Sequence, residues 1–440
     1  MQNPRNSYGS GSTRRTVLLS LSGLGAMLAV MVGLWWHEAM KTPVVHIPTP
    51  ILPNPNAFDV YIKASNAVTG DKQISDANST KPTVAYTLAQ KEALVQQNIN
   101  VIDTLHQGFA YPYFNPPVRS FNTLLPYYAK FRGMARLLSL QGKVRAAHGD
   151  WNGAVESDLD AIRLGKDVPH GSVMIGYLVG VACEAIGRRP LWSTVDQLNG
   201  TQSRAAVTRL ESIMAGNYSY VDTLQQEKYC GQAGLLELFD DPKARAAFFT
   251  DPDAKPGDEQ ATAASASTLS ALFFLAYSKR RIMNNYTSWM NRSSELARKP
   301  YGLHLPPPAL PNDPYNSAVL PVFTDSRLKG VESDTQNGLL LLMLALHAFQ
   351  LEHGRYPAGL KELAPVYLKR LPDDPFAAQG TFKYRLDGKS YVLYSIGPDG
   401  QDDGGKPIDD VTKATSASPN ARYFVTQHSI GDVVAGKNIY

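Results

Sequence analysis

Residues 333–353 read SDTQNGLLLLMLALHAFQLEH, a run of apolar residues at helical spacing. Ser333 followed by Gln336 is typical of a capping box, in which each side chain satisfies a backbone N–H at the start of a helix. Gly354 can adopt the left-handed conformation that ends a helix. Apolar residues surround nearly the whole circumference of this helix, so we expect it to be buried on two faces.

The residues that follow predict a small antiparallel sheet. Residues 381–386 alternate apolar and polar side chains, and residues 391–396 are nearly all apolar or aromatic, as in a central strand. Between them, Asp387-Gly388 favours a tight hairpin turn. The pattern predicts one helix packed on an antiparallel sheet within residues 333–410.

Three segments of this module resemble a known family. They are AFQLEHGRYPAGLKEL (residues 348–363), LPDDPF (371–376) and YVLYSIGPDGQDDGG (391–405). These segments are similar to the C-terminal domain of the major, G-type pseudopilin of type II secretion. Pseudopilins begin with a processed hydrophobic segment joined directly to this domain, and that motif is not found here. The resemblance therefore implies the fold of the module and does not imply pilus assembly.

An acidic, glycine-rich loop follows the second predicted strand. Carboxylates crowded into such a loop repel one another unless water or a cation neutralises them. Ca²⁺ prefers about six to eight oxygen ligands from flexible loops, and the family resemblance implies a calcium site at this place. The predicted ligands are Asp399, Asp402, Asp403, Asp409 and Asp410. The alternative is an exposed acidic turn that binds no metal.

The N-terminal stretch is typical of a membrane anchor. Residues 16–36 carry no charged side chain, and as a helix they would be about 30 Å long, the thickness of the hydrocarbon core of a bilayer. Arginines before this run predict a cytoplasmic tail at residues 1–15 and an extracytoplasmic location for the rest, in a single-pass inner-membrane protein. A cleaved signal peptide or a twin-arginine signal is the alternative. Prolines in residues 37–56 predict a semi-rigid stalk.

The middle of the chain, residues 57–299, has a helical pattern almost throughout. The predicted helices within it cover residues 87–107, 122–148, 152–167, 172–188, 201–216, 218–239 and 261–298. The segment around Gly149-Asp150-Trp151 resembles one tetratricopeptide helical hairpin. Because no second copy is in register and a solenoid needs at least three repeats, we expect an irregular all-α domain.

Two further segments flank the C-terminal module. A proline-rich connector is predicted at residues 300–332. A tail is predicted at residues 411–440, with an edge strand at residues 423–426.

Catalytic motifs are missing from the sequence. It has no Cys-x-x-Cys pair, no Gly-x-Ser-x-Gly elbow and no phosphate-binding glycine loop, so no enzymatic activity is predicted. The acidic cluster Glu156, Asp158 and Asp160 and the basic pair Arg188-Arg189 are typical of a solvated surface. The cysteines, Cys183 and Cys230, are typical of buried small apolar side chains. The alternative is a single disulfide between them.

These features together predict an α+β multidomain chain: a transmembrane helix, an irregular all-α domain and a small C-terminal α+β domain. The net charge of +4 is small for 440 residues, and no nucleic-acid partner is predicted. The whole chain resembles uncharacterised membrane-anchored bacterial envelope proteins. The predicted function is a scaffold or interaction protein that contacts the bilayer through residues 16–36 and a protein of the envelope. The alternatives are an accessory component of a type II secretion or pilus-like system, and an envelope hydrolase with an unrecognised motif.

Overall fold

The computed structural model describes residues 11–79, 85–216, 218–241, 243–244, 277–320, 325–415 and 418–439. Two units are distinguished along the chain. The small unit consists of Met1–Ile47, Gln232–Ser288 and Pro311–Ser317. The large unit consists of Pro48–Gly231, Trp289–Leu310 and Ala318–Tyr440.

Helices account for about 60% of the structure, and a three-stranded sheet lies near the C-terminus. The helices are α1 (Gly11–Met40), α2 (Ala57–Asn66), α3 (Asp71–Asn78), α4 (Leu88–Gln97), α5 (Ile99–Gly108), α6 (Tyr127–Ala147), α7 (Trp151–Asp167), α8 (Met174–Thr194), α9 (Gly200–Ala215), α10 (Tyr220–Asp240), α11 (Lys279–Ala297), α12 (Pro314–Val319) and α13 (Ser326–His353). The strands are β1 (Lys383–Asp387), β2 (Ser390–Ser395) and β3 (Val433–Val434). Most helices predicted between residues 122 and 239 occur within a few residues of their predicted bounds. The first part of the helix predicted at residues 261–298 lies outside the described residues.

The ends of several helices follow from local side-chain chemistry. Asn56 caps α2 by accepting a hydrogen bond from the backbone N–H of Phe58 at 3.1 Å. Asn199 and Gln202 form a complete capping box at the start of α9. Gly354, with φ 67°, ends α13 in the left-handed conformation that the sequence predicts.

Helix α13 lies in the centre of a hydrophobic core of the large unit. Leu339, Leu340 and Leu342 are fully buried, and their cluster includes Leu159 of α7 and Leu210 of α9. Apolar residues of the sheet belong to the same cluster. The prediction of a helix buried on two faces is confirmed.

The capping box predicted at Ser333 and Gln336 is wrong, because α13 begins at Ser326 and both residues lie inside it. Ser333 instead accepts a hydrogen bond from Arg188 Nη1 at 3.3 Å and donates one to Glu184 Oε2 at 3.1 Å. The polar residues that look like a helix start therefore satisfy buried charges on α8.

A second polar contact joins α9 to the last turn of α13 and to the segment that follows it. Arg204 Nη2 donates to Glu352 Oε2 at 2.7 Å, and the Tyr367 hydroxyl donates to the same oxygen at 2.7 Å. The Arg204 guanidinium also lies over the Tyr367 ring, 4.1 Å from its centroid. We call these three residues the Arg204 clamp. The hydrogen bond from Arg204, and after it the one from Tyr367, lowers the pKa of Glu352 to about 2.

The sheet contains the predicted hairpin. Strands β1 and β2 pair antiparallel down to Asp387 opposite Ser390, and Gly388 supplies the positive φ of 61° that the turn requires. The edge strand predicted at residues 423–426 is wrong: residues 419–423 form a 3₁₀ turn, and Val433–Val434 pair with β2 instead. These valines are buried, so the third strand forms where apolar side chains reach the core.

The prediction of a transmembrane helix is also wrong. In the part of the chain that the structure describes, no helix is both long and apolar enough to cross a membrane. The run at residues 16–36 belongs to α1, which continues into Arg14 and Arg15 at one end and Glu38 at the other. The observed fold is therefore mainly helical with a small three-stranded antiparallel sheet, and it corrects the predicted α+β fold with a transmembrane helix. The predicted single-pass inner-membrane location is corrected for the same reason.

The small unit is held by polar and aromatic contacts. Arg280 Nη2 donates to Glu38 Oε1 at 2.8 Å, and Lys279 Nζ donates to Thr42 Oγ1 at 3.1 Å. The rings of Phe239 and Tyr315 meet edge to face at 6.3 Å. These contacts join residues of the small unit that are distant in the sequence.

Candidate functional site

A cavity of about 780 Å³ lies in the large unit between α3, α6, α7 and α8. Cavities that bind small molecules in proteins measure about 300–1,000 Å³. Trp151 supplies an aromatic surface, Ser139 a hydroxyl group and Ile439 an apolar side chain to its wall. The cavity is therefore of the size and mixed polarity that a ligand of several functional groups requires.

Two local features place α6 and α7 around this cavity. Asp150 caps α7 by accepting a hydrogen bond from the backbone N–H of Gly153 at 2.8 Å. Gly142 of α6 faces α7 so closely that a Cβ atom there would lie 3.1 Å from both Ala154 O and Asp158 Oδ1. The lack of a side chain at Gly142 thus lets the Asp158 carboxylate pack against the backbone of α6.

Asp158 is the unusual residue of the cavity. Its side chain is buried, with 1% of the residue exposed, yet Oδ1 accepts no hydrogen bond from any group that the structure describes. Burial raises the pKa of Asp158 well above its ordinary value, and the charge of Lys143 and the Ser139 hydroxyl only partly oppose the rise. A buried carboxylate with an unsatisfied oxygen is costly for a fold and calls for a partner.

Lys143, on α6, is half-buried in the same wall. Its Nζ donates a hydrogen bond to the backbone oxygen of Asn78 at 2.8 Å. Burial lowers the pKa of Lys143 to about 8, and repulsion from Lys91 and Arg189 outweighs the attraction of Asp158. Its ammonium group therefore lies in surroundings already rich in positive charge.

Three cationic side chains line the cavity: Arg136, Lys143 and Arg189. The single carboxylate among the lining residues is Asp158. A second buried acceptor, Asn78 Oδ1, also has no hydrogen-bond donor within the described structure. The cavity thus has an excess of positive charge, and the two unsatisfied oxygens of its lining residues are themselves buried in the protein.

The predicted calcium residues lie in the acidic loop after β2. Asp399 accepts hydrogen bonds from backbone N–H groups of Gln401 and Gly431, each at 3.1 Å. Asp402 accepts from the Tyr394 hydroxyl at 2.9 Å. The Asp399 and Asp402 carboxylates are therefore already engaged by the protein, whereas the backbone N–H of Asp403 faces Asp432.

A further acid of this loop, Asp432, is missed by the sequence analysis. Its Oδ2 accepts the backbone N–H of Gly405 at 2.7 Å, and its Oδ1 that of Asp403 at 3.4 Å. Burial raises the pKa of Asp432 to about 6, against the two backbone donors, and repulsion from Asp402 and Asp403 adds to the rise. Asp432 lies 27 residues after Gly405 in the sequence, so the local sequence pattern gave no sign that the two are in contact.

Asp409 and Asp410 are engaged elsewhere. Asp409 pairs with Arg422, whose Nη2 lies 2.6 Å from Oδ2, and Asp410 caps a turn by accepting from Thr412 N at 3.1 Å. Within the described ranges, no group of three or more His, Cys, Asp or Glu side chains is arranged to hold a metal ion. The calcium site stays a prediction.

The cysteines are not joined. Cys183 and Cys230 are free and buried, as the interpretation of small apolar side chains predicts. Burial raises the pKa of each thiol to about 12, so neither is a reactive thiolate at neutral pH.

The interpretation of the α7 acids as a solvated surface is wrong for Asp158 and Asp160, which are 1% and 6% exposed. Asp158 shares a helix face with Ala154 and Ala161, at spacings of four and three residues. Small residues on that face allow α6 and α8 to approach. That stripe is the signal that could have indicated burial of Asp158.

Comparison with known proteins provides no relative. No protein-family model matches this chain, and no curated protein sequence or solved structure is significantly similar to it. The resemblance of the C-terminal module to a pseudopilin domain therefore stays a prediction.

Proposed function

We propose that this chain is a binding protein whose cavity between α3, α6, α7 and α8 takes a small anionic ligand. The observation that carries the proposal is the convergence of Arg136, Lys143 and Arg189 on one cavity of about 780 Å³. The sequence predicts a scaffold or interaction protein, and this proposal adds that the protein binds a small ligand.

The energetics favour an anion. Burial, and after it repulsion from Lys91 and Arg189, lowers the pKa of the Lys143 ammonium group, and a bound carboxylate or phosphate would offset that repulsion. Arginine and lysine in partly desolvated walls form charge-assisted hydrogen bonds with such groups, which are about twice as strong as neutral ones. The apolar part of the wall, including Trp151 and Ile439, suits the non-ionic part of a ligand.

Calorimetric titration of the full chain with inorganic phosphate, succinate and glutarate tests the proposal. We expect binding of at least one of these anions, weakened about tenfold or more by Lys143→Met or Arg136→Ala, the loss of one charge-assisted hydrogen bond. Arg132→Ala is the matched control, because Arg132 is exposed on α6 and does not line the cavity. Absence of binding by all three anions, or equal loss in the control, would contradict the proposal.

One observation favours an enzyme as the second candidate. The environment raises the pKa of Asp158 and lowers that of Lys143 to about 8, and pairs of groups displaced in this way often serve as acid and base. A hydrolase of this kind would lose turnover in both Asp158→Asn and Lys143→Met while still binding its substrate. Screening the wild type and these variants against ester, amide and phosphoester substrates distinguishes the two functions.

A further inference from the structure

We infer that the ligand of this cavity is an amphipathic anion, whose acidic head group is bound by Arg136 and whose hydrocarbon chain packs against Trp151 and Ile439. This ligand class rests on the proposed anion-binding function and adds a residue that selects the ligand, Ile439. An accessible guanidinium group, a volume far larger than one acidic group and a fixed apolar side chain in the wall support it.

Arg136 is a half-buried arginine that the fold does not use. Arg145, on the same helix, donates from Nη1 to Gly153 O and to Ser157 Oγ, each at 3.0 Å. Among the residues that the structure describes, Arg136 has no hydrogen-bond or ion-pair partner, and none of its nitrogen atoms is both buried and unsatisfied. Its N–H donors are therefore accessible at the cavity wall, where a carboxylate or phosphate can accept two of them side by side.

The cavity is much larger than one acidic group. A water molecule takes about 30 Å³ of the liquid, so the cavity of about 780 Å³ has room for about 25 waters. A phosphate ion or a short dicarboxylate would leave most of that space to water. A ligand that fills the cavity therefore carries a chain or a ring beside its acidic group.

Apolar side chains form part of the wall that such a chain would contact. Trp151, Ile186 and Ile439 line the cavity, and each is partly exposed. Covering apolar surface of this kind with a hydrocarbon chain is favourable, because it removes both surfaces from water. An anion with an aliphatic chain would use the guanidinium group and the apolar wall at once.

Ile439 is held in place by the residue before it. Asn438 is fully buried, with its Oδ1 accepting the backbone N–H of Val434 at 3.0 Å and its Nδ2 donating to Ile408 O at 2.9 Å. The segment after β3 thus brings a fixed apolar side chain to the cavity from outside α6, α7 and α8. A substitution at Ile439 changes the wall without changing those helices.

Two chain-length series test this ligand class on the full chain. Butanoate, hexanoate and octanoate differ in their methylene groups, as do butyl, hexyl and octyl phosphate, and the two series distinguish the head groups. Calorimetric titration at pH 7 should show an affinity that rises about two- to fourfold for each added methylene in at least one series, the gain expected from its burial. 1-Octanol, which has the chain without the charge, should bind about tenfold more weakly than the octyl anion.

Variants separate the two ends of the ligand. Ile439→Ser should weaken binding of the octyl anion about fivefold or more, because it removes apolar wall. Ile430→Ser is the matched control, since Ile430 lies in the same segment, is 78% exposed and does not line the cavity. Arg136→Ala should weaken the short and the long anions by the same factor, because it removes the contact with the head group alone.

The chain-length series uses the wild type, so its result stands whether or not Ile439→Ser folds, which a melting curve verifies. An affinity that does not rise with chain length in either series, or an equal effect of Ile439→Ser and Ile430→Ser, would contradict the amphipathic ligand while binding of phosphate or succinate keeps the anion-binding function. If 1-octanol binds as tightly as the octyl anions, the charge is not recognised and both proposals fail. If no member of either series binds, the amphipathic ligand is contradicted, and the titrations with phosphate, succinate and glutarate decide the anion-binding function separately.

Discussion

The buried carboxyl group of Asp158 makes the stability of the chain depend on pH. Its burial raises its pKa in the folded chain, so the folded chain retains a proton that the unfolded chain releases above about pH 4. The contribution of Asp158 to stability is therefore present at low pH and is lost as the pH rises toward neutrality. A residue kept at this cost is typical of a site that acts on a ligand.

We predict that Asp158→Asn stabilises the ligand-free chain at pH 7 by about 1–3 kcal/mol, since folding of the wild type at that pH requires protonation of Asp158, a cost that the neutral asparagine avoids. The gain should shrink as the pH falls through about 4, because the unfolded chain then takes up the Asp158 proton as well. Urea unfolding of wild type and variant at both pH values measures the difference. A variant that is less stable than wild type at pH 7 would mean that Asp158 has a structural partner.

At the scale of elements, the Arg204 clamp holds α9 to the last turn of α13 and to Tyr367 in the segment after it. Its hydrogen bonds hold the pKa of Glu352 at about 2, below that of the unfolded chain. The stabilisation is therefore present above about pH 4.5 and is lost as the pH falls toward 2. The clamp thus makes this junction sensitive to acid.

We predict that Glu352→Gln lowers the free energy of unfolding at pH 7 by about 1 kcal/mol or less, because the pair is partly exposed and screened by water and salt. The loss should diminish steadily below pH 4. Glu295→Gln, at an exposed position of α11, is the matched control. An equal loss at pH 7 and pH 2.5 would show that packing of the side chain, and not its charge, stabilises the junction.

The acidic loop after β2 permits a test of calcium binding. If Asp399, Asp402 and Asp432 share a calcium ion, millimolar calcium should raise the melting temperature of the full chain relative to chelator, by the mass-action relation for a ligand that binds only the folded state. Asp402→Ala should remove the shift. Equal melting temperatures in calcium and in chelator for the wild type would leave an acidic turn that binds no metal.

At the scale of the whole molecule, the large unit shares one hydrophobic core between its helices and its C-terminal sheet. Leu159, Leu210, Leu340 and Leu393 belong to the same cluster. The sequence predicts instead that residues 333–410 form a separate domain, because proline-rich segments precede them. A core that is continuous across that boundary argues for joint folding.

We predict that residues 326–440 expressed alone do not fold, since α13 would expose the leucines that α7 and α9 cover. The expected result is a fragment without a cooperative melting transition. Adding residues 48–325 should restore the transition. A cooperative transition in the fragment alone, with or without calcium, would support an independent domain.

Several elements could be predicted because their signals are local. Gly354 ends α13 by its own conformational freedom, and Gly388 marks the hairpin by the same property. The third strand could not be predicted, because Val433–Val434 is too short to show an alternating pattern.

The cavity was missed for a different reason. A sequence shows that Asp158 is charged, but it does not show which helix covers it. Arg136, Lys143 and Arg189 come together only when α6 packs beside α8.

The position of α13 has a consequence for synthesis on the ribosome. Its packing partners α7, α8 and α9 are complete at Ala215, whereas α13 begins only at Ser326. At translation speeds of about 5–20 residues per second, the partners wait on the order of ten seconds for the leucines that cover them. During that interval the nascent chain presents an apolar groove, which is the kind of surface that chaperones bind. Production of this protein should therefore depend on chaperone supply and on steady translation between these helices.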